Sequence, residues 1–197
     1  MVPTVPVPRR PSDPGDPVDP VCRWYENELG WAAVPGPPVR LVTGLRFDVL
    51  ELPAEAGFPA LRHLGPASPV VLHGERMRLL VAAGSAEELP GLLDWLEWGA
   101  LALDLTAIGA GGSIEAPPPT AGPETASGPR GAVRWLRPPE PGRAVEPALP
   151  TLSALGGGAV GGGVGGAPDL VRLVQTMATQ CHRVRLRRAR AQPLAFS

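Results

Sequence analysis

"RFDVLELPAEAG", residues 46–57, decides how the chain is read. Phe47, Val49, Leu50 and Leu52 supply the alternation and apolar content of a strand over 45–52, and Pro53 is expected to stop its ladder. Two acids, Asp48 and Glu51, lie inside that run. Acids among Val, Leu and Phe are costly to bury unless a positive group meets them. Positions three apart on a strand point to opposite faces, so these two cannot share one metal ion unless a bulge intervenes. A third acid, Asp104, lies within "ALALDLTAI" (100–108), another expected strand, and can approach one of the first two if the strands are neighbours. The simplest reading gives each acid solvent or an arginine as its partner.

Outward from this strand, "AEAGFPALRHLG" predicts a helix capped near Gly65, and "PVVLHGERMRLLVAAG" two strands around the turn "HGE". "SAEELPGLLDWLEWG" predicts a helix with a capping box, Ser85 and Glu88, and a buried stripe of Leu92, Leu93, Trp95 and Leu96; Pro90 blurs its start. "GAGGSIEAPPP" is a glycine turn entering a strand, and "GAVRWLRPP" a last strand with Val133 and Trp135 on one face. Upstream, "CRWYENELGW" is a helix ended by Gly30, followed in "WAAVPGPPVRLVTG" by a short strand and a Pro-rich loop. The order α β β α β β α β β β α defines an α+β fold whose strands need not be parallel.

Within 197 residues, Gly (25) and Pro (27) exceed a quarter of the chain, which marks low-complexity segments around one ordinary domain. Residues 1–21 read as a disordered, extended Pro-rich leader, 22–150 as the domain and 151–167 as a flexible Gly-rich linker. Residues 168–197 read as a basic amphipathic helix and tail with the stripe Leu170, Leu173, Val174, Met177, Cys181 and Val184. Every one of the 18 basic residues is Arg, a coding bias that lowers the weight of any Arg-rich patch. From Pro168 onward six Arg face one acid, a net of +5, while the first 167 residues carry twelve Arg against eighteen acids, a net of −6. Such a tail can hold nucleic acid through Arg183, Arg185, Arg187, Arg188 and Arg190, or fold back onto the body. The start carries no apolar run of a signal peptide and no segment is long enough to span a bilayer, so a soluble cytoplasmic protein without a membrane partner is expected.

Other candidates carry little chemistry. Cys22 and Cys181 are distant and form no metal spacing. His63, His73 and His182 have neither a metal partner nor a nucleophile to activate, "GAGGS" (109–113) lacks the ending of a phosphate loop, and most of the five Trp fit core faces.

"CRWYENELGWAAVPG", "VLELPAEAGFPALRHLG", "LDLTAIGAGGSIEAPPPT" and "AVRWLRPP" together resemble the bifunctional DNA primase/polymerase N-terminal domain family, small actinobacterial members above all, over about 22–150. The resemblance implies an archaeo-eukaryotic primase–polymerase fold, an RRM-like sheet flanked by helices. Active members bind divalent metal through an acidic pair spaced D-x-D, hold nucleotide phosphate with a His, and add a later acid. Here Glu51 falls on the first acid, Pro53 on the second, Met77 at about the His position, and Asp104 on the later acid. Pro53 offers no ligand and Met77 only a thioether, so two metals cannot be positioned for nucleotidyl transfer. No cofactor is expected beyond a weak Mg²⁺ or Mn²⁺ between Glu51 and Asp104. The expectation is a non-catalytic protein with a degenerate active site that binds nucleic acid, a nucleotide or a replication partner, its linker and tail acting as a tethered basic arm. The alternatives are an active metal-dependent primase/polymerase and a protein-interaction module without nucleic-acid binding.

Overall fold

The computed structural model describes residues 19–119, 131–152 and 169–191. Most of the Pro-rich leader and of the Gly-rich linker lie outside these residues, as does 192–197 of the tail. Among the described residues the strands are β1 (Ala33–Val34), β2 (Arg40–Val42), β3 (Phe47–Pro53), β4 (Val70–His73), β5 (Arg76–Ala82), β6 (Thr106–Ile108), β7 (Ser113–Glu115) and β8 (Val133–Arg137). The helices are α1 (Pro20–Trp24), α2 (Ala54–Gly57), α3 (Ser85–Trp95) and α4 (Leu170–Ala191). The chain is therefore α+β. A five-stranded sheet runs β6-β3-β5-β4-β8 and a three-stranded sheet β1-β2-β7, every pair antiparallel.

The period-two alternation of β3 splits its side chains between two cores. Leu50 and Leu52 face the helices, where they join Met77, Leu79 and Val81 of β5, Leu89 and Leu92 of α3, and the α4 stripe from Leu170 to Val184. Phe47 and Val49 face the other way, onto Val71, Leu80, Trp135, Tyr25, Trp31, Leu41 and Ile114. The large sheet is thus the middle layer, with helices α2, α3 and α4 on one face and α1 with the small sheet on the other.

Aromatic rings organise the second core. Trp31 packs against Tyr25 at 6.0 Å and Phe47 at 4.6 Å between ring centroids. Trp135 Nε1 donates to the Tyr25 hydroxyl at 3.1 Å, which donates to the Pro117 carbonyl at 2.7 Å. Burial pushes the Tyr25 hydroxyl's pKa upward, so it stays a donor at any physiological pH. Tyr25→Phe leaves the indole N–H and a carbonyl without their partner, and is expected to cost about 1–3 kcal/mol in urea unfolding. A loss below about 0.5 kcal/mol would mean that water replaces the hydroxyl.

Several boundaries differ from the sequence reading for local reasons. Helix α1 begins at Pro20, inside the segment read as extended leader, because the Asp19 side chain accepts from Val21 N at 2.8 Å and proline suits the first helical position. A wider π turn, Tyr25–Leu29, continues it until Gly30 turns left-handed at φ 65°. Part of the expected Pro-rich loop pairs as β2, an additional strand. Only Thr106–Ile108 of the expected strand 100–108 is paired. The expected helix after β3 is the single turn α2 followed by a 3-10 helix, Phe58–His63. Strand β3 continues through Pro53, which pairs with Arg76, rather than stopping before it.

Helix α4 is the largest departure. Leu170, Leu173, Val174, Met177, Cys181 and Val184 are buried in the same core as β3 and β5. The described part of the basic segment is therefore a wall of the domain, not a tethered arm, because an apolar stripe of this width has nowhere better to go than the open face of the sheet.

Candidate functional site

Strand register assembles the site. β3 pairs with β5 so that Glu51 lies opposite Arg78 and Pro53 opposite Arg76, and on its other edge Glu51 lies opposite Thr106 of β6. Asp104 stands two residues before Thr106, at the same end of the sheet. Arg78 Nε donates to Glu51 Oε2 at 2.6 Å. Arg76 spans the two candidate acids, with Nε donating to Glu51 Oε1 at 3.2 Å and an Nη to Asp104 Oδ1 at 2.5 Å.

The electrostatics follow from this geometry. Burial pushes the Glu51 carboxyl up, but the hydrogen bonds and charges of Arg78 and Arg76 outweigh it and hold the pKa below the usual carboxylate range. A guanidinium lies between the carboxylates that the family resemblance assigns to metal. These residues do not fit a divalent cation, since Arg76 uses the carboxylate oxygens that a metal would need and adds like charge. Among the described residues, no three His, Cys, Asp or Glu side chains group as metal ligands.

Met77, aligned with the family's phosphate-holding His, is fully buried on the helix face, opposite to Glu51. Arg76 and Arg78 share Glu51's face, as does Thr106 across the other edge, and the sequence reading names neither arginine as a site residue. Two arginines two apart on a strand were the available signal, but only the pairing with β3 gives it meaning.

The candidate nucleic-acid residues divide into two sets. Arg185 donates to the Ala102 carbonyl at 2.7 Å, and Arg187 and Arg188 hold Glu55 of α2 at 3.3 and 3.1 Å. Arg188 also lies 3.8 Å from Asp104 Oδ2. Arg183 and Arg190 are exposed, with no carboxylate partner among the described residues. Asp104 thus joins Arg76 on one side of the sheet to the end of α4 on the other.

The remaining candidates have structural roles. Asp48 is buried against α3, where its Oδ2 accepts from Ala86 N at 2.9 Å; Ser85 makes no capping hydrogen bond, because Gly84 is the cap and Asp48 supplies the carboxylate from a neighbouring strand. His63 Nε2 is hydrogen-bonded to Thr176 of α4 at 2.8 Å and accepts from Arg62 at 3.1 Å, while burial and the charges of Arg62 and Arg172 lower its pKa. His73 lies 3.9 Å from Glu115, and the His182 ring packs 5.9 Å from that of Trp98. Cys22 and Cys181 are both free and buried, and burial, helped by Asp104, pushes the Cys181 thiol up to about 12, which makes it a poor nucleophile. Trp31 and Trp135 are core residues as expected, whereas Trp95 is 69% exposed.

Compared with family models, curated proteins and solved structures, the chain matches none. Among the described residues no helix is long and apolar enough to cross a membrane.

Proposed function

We propose that this chain is a non-catalytic protein of primase–polymerase-like ancestry that binds nucleic acid through the arginine-rich end of α4. The observation that carries the binding role is the layout of that helix. Its buried stripe ends at Val184, while Arg183, Arg185, Arg187, Arg188 and Arg190 are exposed around its last turns. Guanidinium groups gathered on one rigid element suit a phosphate backbone, and each contact releases a counterion.

Two features support the ancestry. The succession β3-α2-β4-β5-α3-β6, with spatial order β6-β3-β5-β4, is the split βαβ arrangement to which an RRM-like core belongs. Glu51 near the end of β3 and Asp104 before β6 lie at one end of that sheet, both held by Arg76, a placement that supports the reading. Arg76 between them favours the non-catalytic reading over an active, metal-dependent primase/polymerase.

The test is retention of a labelled oligothymidylate by the full chain across a salt series. Two to five phosphate contacts on a single strand give a slope of log K against log[salt] of about −1.4 to −3.5, and Arg183→Ala with Arg190→Ala should weaken binding and flatten the slope. No retention at about 50 mM salt, either by the natural chain or by one in which the Glu55 carboxylate that pairs with Arg187 and Arg188 is neutralised, would remove the proposal. A second reading, a protein-interaction module, is favoured by the exposed Trp95 and Leu101 flanking the end of α3, and predicts a partner that Trp95→Ala releases.

A further inference from the structure

We propose that Glu55 is an intramolecular competitor for the polyanion: it occupies the middle of an arginine ridge on α4, so that nucleic acid and α2 contend for the same guanidinium groups. The inference rests on the nucleic-acid reading above and adds how that site is regulated.

Helical spacing defines the ridge. Arg183, Arg187 and Arg190 follow one another at four and three residues, so they share one flank of α4, stepping about 6 and 4.5 Å along its axis. The two outer members are exposed and have no carboxylate partner among the described residues. The middle one, Arg187, is paired with Glu55 at 3.3 Å. Arg188 continues the buried stripe after Met177, Cys181 and Val184, and it meets the same carboxylate at 3.1 Å. One acid on a single turn of helix thus neutralises the centre of the ridge and draws Arg187 towards the body.

The pairing is of a kind that a ligand can displace. Glu55, Arg187 and Arg188 have side chains 49%, 66% and 57% exposed, so water and salt screen the ion pairs. No apolar contact needs to break, since the core stripe ends at Val184. A phosphate backbone carrying many charges can outbid one half-exposed carboxylate, but the binding energy is reduced by what the internal pair was worth.

The experiment uses the full-length chain and a labelled oligothymidylate over about 50–200 mM salt. Glu55→Gln is expected to tighten binding about two- to five-fold, the range set by exposed ion pairs. It should also steepen the salt slope by about 0.7, the increment for one further phosphate contact on a single strand. Glu140→Gln is the control: it removes the same charge and frees Arg143, its partner at 2.8 Å, away from α4, and should leave affinity and slope unchanged. Arg187→Gln in the Glu55→Gln background should abolish the gain. If the oligonucleotide binds the natural chain and Glu55→Gln changes neither affinity nor slope, the competition is overturned while the binding role stands. If both glutamine variants tighten binding alike, net charge alone is responsible and the competition is again overturned. If no variant binds, the nucleic-acid role fails and this inference with it. Binding seen only after Glu55→Gln supports competition in its strongest form. Equal melting temperatures of the variants exclude misfolding as the source of any difference.

Discussion

Leu173→Ala in α4 is expected to destabilise the whole protein by about 2–5 kcal/mol. Leu173 is fully buried and shares its core with Leu50, Leu52, Met77 and Leu79 of the central sheet. Truncating it removes apolar burial and leaves a cavity between two elements that cannot close on each other freely. Arg190→Ala, on the exposed surface of the same helix, should change stability by no more than about 0.5 kcal/mol. Urea unfolding monitored through tryptophan fluorescence in a Trp98→Phe background measures both, because Trp98 touches Gln175 and His182 of α4 while Trp31 and Trp135 lie on the far face of the sheet from it. A tethered helix would melt without disturbing that core. An unchanged transition midpoint in Leu173→Ala would therefore show that α4 is a separate unit.

Arg78→Met should cost about 3 kcal/mol, the second large effect. The Arg78 and Glu51 side chains are only 12% and 18% exposed, so removing the guanidinium strands a largely buried carboxylate with Arg76 as its one remaining ion-pair partner among the described residues. Methionine keeps the aliphatic stem, which confines the change to charge and hydrogen bonding. Adding Glu51→Gln should recover more than half of the loss, since a missing pair costs less than a broken one. A single variant within about 0.5 kcal/mol of the natural chain would assign the pair to the weak surface class. Acid titration offers an independent check. The folded-state pKa of Glu51 is depressed, so its contribution is fully present above the unfolded value of about 4.3 and is lost as pH falls through the folded value. The stability gap between the natural chain and Glu51→Gln should accordingly shrink as pH drops below about 4.3.

How much was legible in the sequence differs between elements. The hairpin of β4 and β5 and the strand "VRWLR" announced themselves, because alternation and turn chemistry are local. The α4 stripe was also plain, yet its destination was not: a stripe states that a helix is amphipathic but not what covers it. The acid problem of β3 was visible in the same way. Alternation correctly separated Asp48 from Glu51, but not the helix N-terminus that receives Asp48 or the two arginines that receive Glu51. The family resemblance puts Met77 at the site, and the strand's parity sends it to the opposite face.

What the sequence by itself determined is therefore most of the elements, though not β2 or the short helical turns after β3, together with the apolar side of the main strands and the presence of acids needing partners. These follow from periodicity and desolvation, which act within a few residues. Only the tertiary structure decided the pairings, Glu51 with Arg76 and Arg78, Asp104 with Arg76, and Glu55 with Arg187 and Arg188. Each joins segments that are distant along the chain or lie on different elements. Coulomb attraction selects no partner until hydrophobic packing has fixed strand register and helix position, and that packing is a property of the whole core.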